Sequence, residues 1–284
     1  MSFLLAAFLG LLQGLTEFLP VSSSGHLALF QNWFGLRETP LLFDVLLHLG
    51  TLFAVCMAFR KDIAEILREL GQMISDLIHR RRARTILPAR RMAMLLIAGT
   101  LPLAGFIFLS GTAEAAMKMP LVVGLLLCAT GLLLLLADRV PKGKKTEKNA
   151  RVTDALVVGV CQGLALMPGL SRSGATISGG LFCKFDRAFA VRFSFLLSLP
   201  AVIGATVIEL IKLITAGPEA AAVAEEAITL SFGACLTGIL VAAVAGYFAI
   251  GLVRRLVSKG KFGVFAYYCL GMGLIAIVTG LYFS

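Results

Sequence analysis

The sequence predicts an all-α polytopic membrane protein: six transmembrane helices plus two re-entrant helical hairpins, arranged as an inverted-topology repeat. Three observations carry that prediction. The 284 residues are 58% hydrophobic with a mean hydropathy of +0.92, well above the composition of a soluble domain. Apolar stretches that suit a bilayer recur at 43–59, 92–110, 120–138, 190–212, 228–250 and 263–283. Finally, Gly10-Leu11-Leu12-Gln13-Gly14-Leu15 … Ser22-Ser23-Ser24-Gly25 returns 149 residues later as Gly159-Val160-Cys161-Gln162-Gly163-Leu164 … Ser171-Arg172-Ser173-Gly174, identical at seven of sixteen positions.

The charge pattern orients these spans. The connection 60–91 holds nine Lys/Arg, including Arg80-Arg81-Arg82; 139–151 holds six and 251–262 holds four. The connection 213–227 has no basic residue and carries Glu219, Glu225 and Glu226. Basic connections belong to the cytoplasmic side, so the net charge of +10 marks a face next to anionic lipid and not a nucleic-acid surface. His79 falls in such a connection and reads as solvated. The N-terminus lacks the basic start of a signal peptide, because no Lys or Arg precedes Arg37.

Each element follows from that orientation. Span 43–59 starts outside to reach the basic connection, so residues 1–40 form a hairpin that dips in from the outer side, broken at Pro20 and Gly25. Spans 92–110 and 120–138 run out and back. Lys184, Arg187 and Arg192 place the start of span 190–212 inside. Segment 152–188 therefore enters and leaves on one face, as a second re-entrant hairpin broken around Pro168-Gly169 and Gly174. Spans 190–212, 228–250 and 263–283 complete the chain. The whole, 1–284, reads as one integral membrane domain with a first repeat at 1–140 and a second at 152–284. Three spans per half is odd, which inverts the second half. The six cysteines show no Cys-x-x-Cys or Cys/His spacing and read as small buried apolar side chains.

Polar groups inside apolar segments are costly and point to function. The first tip holds Gln13, Glu17, Ser22, Ser23, Ser24 and His26; the second holds Ser171, Arg172, Ser173, Gly174 and Thr176. Gln13 and Glu17, four apart, share a helix face. This set can hydrolyse a phosphate ester or anhydride. Arg172 clamps phosphate oxygens and offsets developing charge; a serine or His26 attacks or moves a proton; Glu17 acts as base or holds a divalent cation. Plainer readings stand beside these: Glu17 and Arg172 as a structural ion pair, Ser22 and Ser24 as helix caps, His48 as a hydrogen-bonded core histidine, Asp44 as an interfacial carboxylate.

Gln-Gly-Leu-Thr-Glu-Phe-Leu-Pro-Val-Ser-Ser-Ser-Gly-His (13–26) and Pro-Gly-Leu-Ser-Arg-Ser-Gly-Ala-Thr (168–176) resemble the two signatures of the bacterial undecaprenyl-diphosphatase family, associated with bacitracin resistance. The resemblance spans both motifs, the length, the span count and the repeat. It implies hydrolysis of undecaprenyl diphosphate to the monophosphate carrier lipid and inorganic phosphate, and so recycling of the carrier for cell-wall synthesis. It further implies help from a divalent cation (Mg2+ or Ca2+) and a site facing the extracytoplasmic side of the bacterial plasma (inner) membrane. The family's functional positions carry onto Glu17, Ser23, His26, Ser171, Arg172, Ser173 and Thr176; Gln13 stands where the family has Glu or Gln, which shifts metal binding toward Glu17. We read Glu17, Ser23, His26 and Arg172 as catalytic, and Gln13, Ser22, Ser171, Ser173, Gly174 and Thr176 as substrate-binding. The nucleophile is Ser23, His26 or an activated water, with Ser23 favoured. Expected partners are the polyprenyl diphosphate and membrane lipids, with no nucleic acid; a homo-oligomer is compatible with the chain. The acid-phosphatase-like lipid phosphatases are excluded because no histidine follows Arg172. A transporter or flippase of the polyprenyl phosphate carrier or another anionic solute is the other class, since inverted repeats with hairpins also build transporters; a carboxylate beside Arg172 argues against it.

Overall fold

The computed structural model describes residues 2–34, 41–79, 87–215 and 231–282. Arg37, Arg80-Arg81-Arg82, Glu219, Glu225 and Glu226 lie outside the described residues, as do most of connection 213–227 and residues 228–230 of the span after it. The described chain is helical throughout, apart from one isolated bridge between Lys145 and Phe185.

Two hairpins of short helices stand out. The first is α1 (Phe3–Phe18) and α2 (Ser23–Phe34); the second is α8 (Val152–Leu164) and α9 (Arg172–Phe182). At ~1.5 Å per residue none of the four spans the ~30 Å hydrocarbon core. Sequence explains their ends. The Ser2 hydroxyl caps α1 by accepting from the Leu5 N–H at 3.2 Å, and Leu19 is extended because the residue before Pro20 is pushed out of the helical region. Asp154 caps α8 through the Arg151 N–H at 2.8 Å, and Ser171 caps α9. The breaks differ from the sequence expectation in one respect: Gly25 and Gly174 sit in the first turns of α2 and α9, and the chain turns before them.

Between and after the hairpins come α3 (Leu41–Ala58), α4 (Arg60–Ile78), α5 (Pro88–Ala104), α6 (Ser110–Met117), α7 (Pro120–Asp138), α10 (Arg187–Thr215), α11 (Phe232–Ser258) and α12 (Gly263–Tyr282). Four of these, α7, α10, α11 and α12, are long and apolar enough to cross a membrane. α3 and α5 are shorter, and bend by 88° into α4 and by 45° into the turn and helix that follow. Counting each bent pair as one span gives six. The span expected at 92–110 is corrected accordingly: its helix begins at Pro88 and stops at Ala104, where Pro102 and Gly105 end the ladder.

The connection 60–91 is not merely a basic loop. Residues 60–78 form α4, whose Ile63, Ile66, Leu70 and Met73 pack on the core while Leu67, Ile74, Leu77 and Ile78 stay exposed. That i, i+3, i+4 spacing was open to reading, but the charges mask it.

Helices in a membrane gain little from hydrophobic burial against one another, so they associate through small residues and close packing. Each hairpin packs against a helix of the other half: α1 on α11, α8 on α5. A Cβ on Gly10 would sit 2.5 Å from the Gly238 carbonyl oxygen, and one on Gly159 would sit 2.2 Å from that of Gly99. Both crossings therefore demand glycine. The basic connections converge at one end of the molecule, held by Arg192 to Asp62 and Glu147, Lys145 to Asp154 and Arg187 to Asp138.

Candidate active site

The two hairpin tips meet, and the meeting is built from backbone as much as side chain. Ser22 holds a left-handed φ of 69° and Gly169 one of 97°. The Gly169 N–H donates to the Ser22 hydroxyl at 3.1 Å, across the tips. A Cβ on Gly25 would lie 2.9 Å from the Gly169 Cα, so a side chain there would force the tips apart. The Ser173 hydroxyl donates to the Leu19 carbonyl at 3.2 Å, and the Cys269 thiol reaches the Pro20 carbonyl at 3.4 Å. Thr130 on α7 fastens the second tip, donating to the Gly169 carbonyl at 2.8 Å and accepting from the Ser171 N–H at 3.1 Å.

Glu17 is the centre of the polar contacts. Its side chain is 5% exposed. One carboxylate oxygen pairs with Arg172 from the other hairpin. The other accepts from the Ser23 hydroxyl at 2.8 Å and from the Gln13 amide at 3.0 Å. The Gln13 amide nitrogen also lies 3.3 Å from His48 Nε2. His48 Nδ1 donates to the Asp44 carbonyl at 2.9 Å, which makes Nδ1 the protonated nitrogen and Nε2 the acceptor. Gln13 then donates both amide hydrogens, to Glu17 and His48.

His26 is buried at the same tip but points elsewhere. Its Nδ1 lies 2.8 Å from the Ser22 carbonyl and so carries the hydrogen; its Nε2 accepts from the Tyr268 hydroxyl at 2.7 Å. Neither nitrogen touches Glu17 or Ser23. The remaining sequence-predicted residues divide into builders and contributors. Ser22 accepts from the Gly25 N–H at 3.2 Å and Ser171 from that of Gly174 at 3.1 Å, so both hydroxyls serve as caps. Thr176 turns back to the Arg172 carbonyl at 2.8 Å and to Ser194 at 2.5 Å. Ser173 joins Ser171 at 3.2 Å. Ser24 lies 3.5 Å from Ser22.

Sequence reading left four residues out of the site: Tyr268, Thr130, Ser194 and the Gln13 contact of His48. The Asp44–His48 pair, four apart inside an apolar span, was the one available signal. Nothing local links Tyr268, 242 residues away, to His26. Among the described residues no three His, Cys, Asp or Glu side chains gather as a metal cage. Glu17 is the single carboxylate in these tip contacts, which suits a cation shared with phosphate oxygens, the usual habit of Mg2+.

Chemically, the arrangement places a hydroxyl, a carboxamide and a guanidinium on one carboxylate. The α9 N-terminus beside Arg172 adds the positive end of a helix dipole. Comparison with known proteins gives a consistent result. The family model described as bacitracin resistance protein BacA matches residues 6–275. The undecaprenyl-diphosphatase of Desulforapulum autotrophicum is 42% identical over 277 residues, 96% of each chain. Those of Alkaliphilus metalliredigens and Methanosphaera stadtmanae are 40% and 38% identical, over 97% of this chain and 98% and 97% of theirs.

Proposed function

The chain belongs to the bacitracin resistance protein BacA family, and on that premise we propose that it hydrolyses undecaprenyl diphosphate to undecaprenyl phosphate and inorganic phosphate. The observation that carries the reading is the convergence on Glu17 of Ser23 and Gln13 from one hairpin and Arg172 from the other. A solute-binding site for an anion needs the guanidinium and the hydroxyls; it gains nothing from a buried carboxylate at their centre.

The proposed chemistry uses these residues in turn. The terminal phosphate of the diphosphate takes Arg172 as its counter-charge, which releases one oxygen of Glu17 from the ion pair. Ser23 gives its proton to the Glu17 oxygen 2.8 Å away as its Oγ attacks the terminal phosphorus. The serine–phosphorus bond forms, the bridging phosphorus–oxygen bond breaks, and undecaprenyl phosphate leaves with the electron pair and takes the proton from Glu17. A water, deprotonated at the freed Glu17 carboxylate, then attacks the phosphoserine, and Glu17 passes that proton to the departing Ser23 oxygen, which frees inorganic phosphate and restores the hydroxyl. Arg172 offsets charge in both steps.

Gln13 orients Glu17. His26 fixes the Ser22 carbonyl, and with it the turn that aims Ser23; its Nε2 exchanges protons where the Tyr268 hydroxyl yields it. Ser22, Ser171, Ser173, Gly174 and Thr176 shape the phosphate cradle. Glu17 would hold a divalent cation, Mg2+ or Ca2+, which would supply Lewis-acid neutralisation of the diphosphate charge. The two halves relate as an inverted repeat in the bacterial plasma membrane, with the tips open to the extracytoplasmic side. The gathering of basic connections at the opposite end supports that orientation.

The test is phosphate release from a polyprenyl diphosphate by the purified protein. Activity is expected, is lost on chelation and is restored by Mg2+ or Ca2+. Full activity in Arg172→Ala would overturn the catalytic assignment.

A further inference from the structure

At the end of the molecule that carries the basic connections, a groove of about 610 Å³ opens between α3 and α11. Its walls are apolar: Phe53 and Met57 from α3, Leu240, Val244, Tyr247 and Phe248 from α11. All but Met57 are more than half exposed, so the groove faces the hydrocarbon and not the protein interior. Phe18 packs against Ala54 and Gly246 on the inner side of the same two helices, which sets the groove apart from Glu17.

The closed end is charged. It is made by Arg60, Lys61 and Asp62, where the chain turns 88° from α3 into α4. Asp62 is committed to Arg192. Arg60 and Lys61 are exposed and have no carboxylate partner among the described residues. Farther along α11, ~10 Å beyond Phe248 at the helical rise and past the groove's lining, Arg254 and Arg255 are also exposed. A helix perpendicular to a span lies in the membrane plane, and α4 has the exposed apolar stripe Leu67, Ile74, Leu77 and Ile78 that such a helix buries in lipid. That places Arg60 and Lys61 at headgroup level.

We infer that this groove binds a glycerophospholipid of net negative charge, one acyl chain along the apolar walls and the phosphate on Arg60 and Lys61. Two cations at the charged end of the groove, with the adjacent carboxylate already paired, favour an anionic headgroup over a zwitterionic one, whose own cation would face them.

Native mass spectrometry of the full chain released from nanodiscs tests this. The nanodiscs contain equal amounts of dioleoylphosphatidylglycerol and dioleoylphosphatidylcholine. The wild type is expected to retain dioleoylphosphatidylglycerol preferentially. Arg60→Gln with Lys61→Gln should lower that preference about fivefold per cation removed, the equivalent of ~1 kcal/mol each. Val244→Trp, which fills the groove, should reduce retention of both lipids. Both variants should release phosphate at the wild-type rate, so the outcome is separable from the fate of the hydrolase reading. Equal retention by the wild type would overturn the inference, as would an unchanged preference in the double variant. Displacement of the phosphatidylglycerol by added polyprenyl phosphate would overturn the phospholipid assignment.

Discussion

The two hairpin tips share a frame and use it differently. In each, a serine hydroxyl accepts the N–H of the glycine three residues on, at 3.2 Å for Ser22 and 3.1 Å for Ser171. Ser171 is an ordinary extended N-cap, whereas Ser22 is left-handed, a conformation that costs a non-glycine residue about 1–3 kcal/mol. In the second tip the left-handed residue is Gly169, for which the conformation is nearly free. The strained turn directly precedes Ser23, and its bonds to Gly169 and His26 hold it in place. The buried amides differ as well. Gln13 has two partners, while both polar atoms of Gln162 are buried without one among the described residues. Leu166 stands four residues beyond Gln162, where Glu17 stands beyond Gln13. The comparison teaches that one scaffold carries a carboxylate-bearing tip and a guanidinium-bearing tip, which the proposed reaction uses for proton handling and charge clamping, and that strain gathers in the first.

The sharpest way to break this contrast is to remove its central pair. Arg172→Ala and Glu17→Gln should each lower kcat by about 10²–10³-fold or more. The double variant should be little worse than either, because residues acting as a unit are not additive. Independent, multiplying losses in phosphate-release kinetics would show that the two tips do not work on one group.

Neighbouring serines offer the next largest test. Ser23→Ala should abolish most activity with an unchanged melting temperature. Ser22→Ala should act on stability instead, at about 1–3 kcal/mol for the unsatisfied Gly169 and Gly25 amides. Thermal melts beside activity assays separate the two, and the reverse pattern would reassign the nucleophile.

Tyr268→Phe removes one hydrogen bond to His26 Nε2 and should cost only several-fold. Its signature is a displaced pH profile of kcat/KM; a profile identical to wild type would confine His26 to holding the turn. The smallest effects separate the amides. Gln13→Leu should lower activity about tenfold, roughly the value of one hydrogen bond in the transition state. Gln162→Leu should leave activity unchanged and hold or raise the melting temperature, since replacing an unsatisfied buried amide by an apolar group removes a penalty.

Much of this was legible in sequence because it rests on local rules. Apolar length and charge asymmetry placed the long helices, and the repeat singled out both tips. Glu17, Ser23 and Arg172 were found because a bilayer makes polar residues conspicuous. What escaped was non-local or masked. α4 hides an apolar stripe under alternating charge, and the break after Ala104 depends on Pro102 and Gly105 acting together. The partner of His26 comes from the last helix, so no spacing could announce it. On a motif Ser22 reads equally as cap or substrate ligand and Ser171 as ligand; the backbone geometry gives each hydroxyl a capping bond, and no spacing rule could have assigned that of Ser171.

The glycine crossings of α1 with α11 and of α8 with α5 carry a consequence in time. α1 leaves the ribosome about 200 residues before α11 exists, an interval on the order of 10 s or more at ~5–20 residues per second. Through that interval a short helix bearing Gln13 and Glu17 has no seat, and the lipid cannot satisfy it. The first hairpin must therefore wait at the membrane surface or with an insertion partner, and take its place only when the last fifth of the chain arrives. The part of the enzyme made first waits for a part made nearly last.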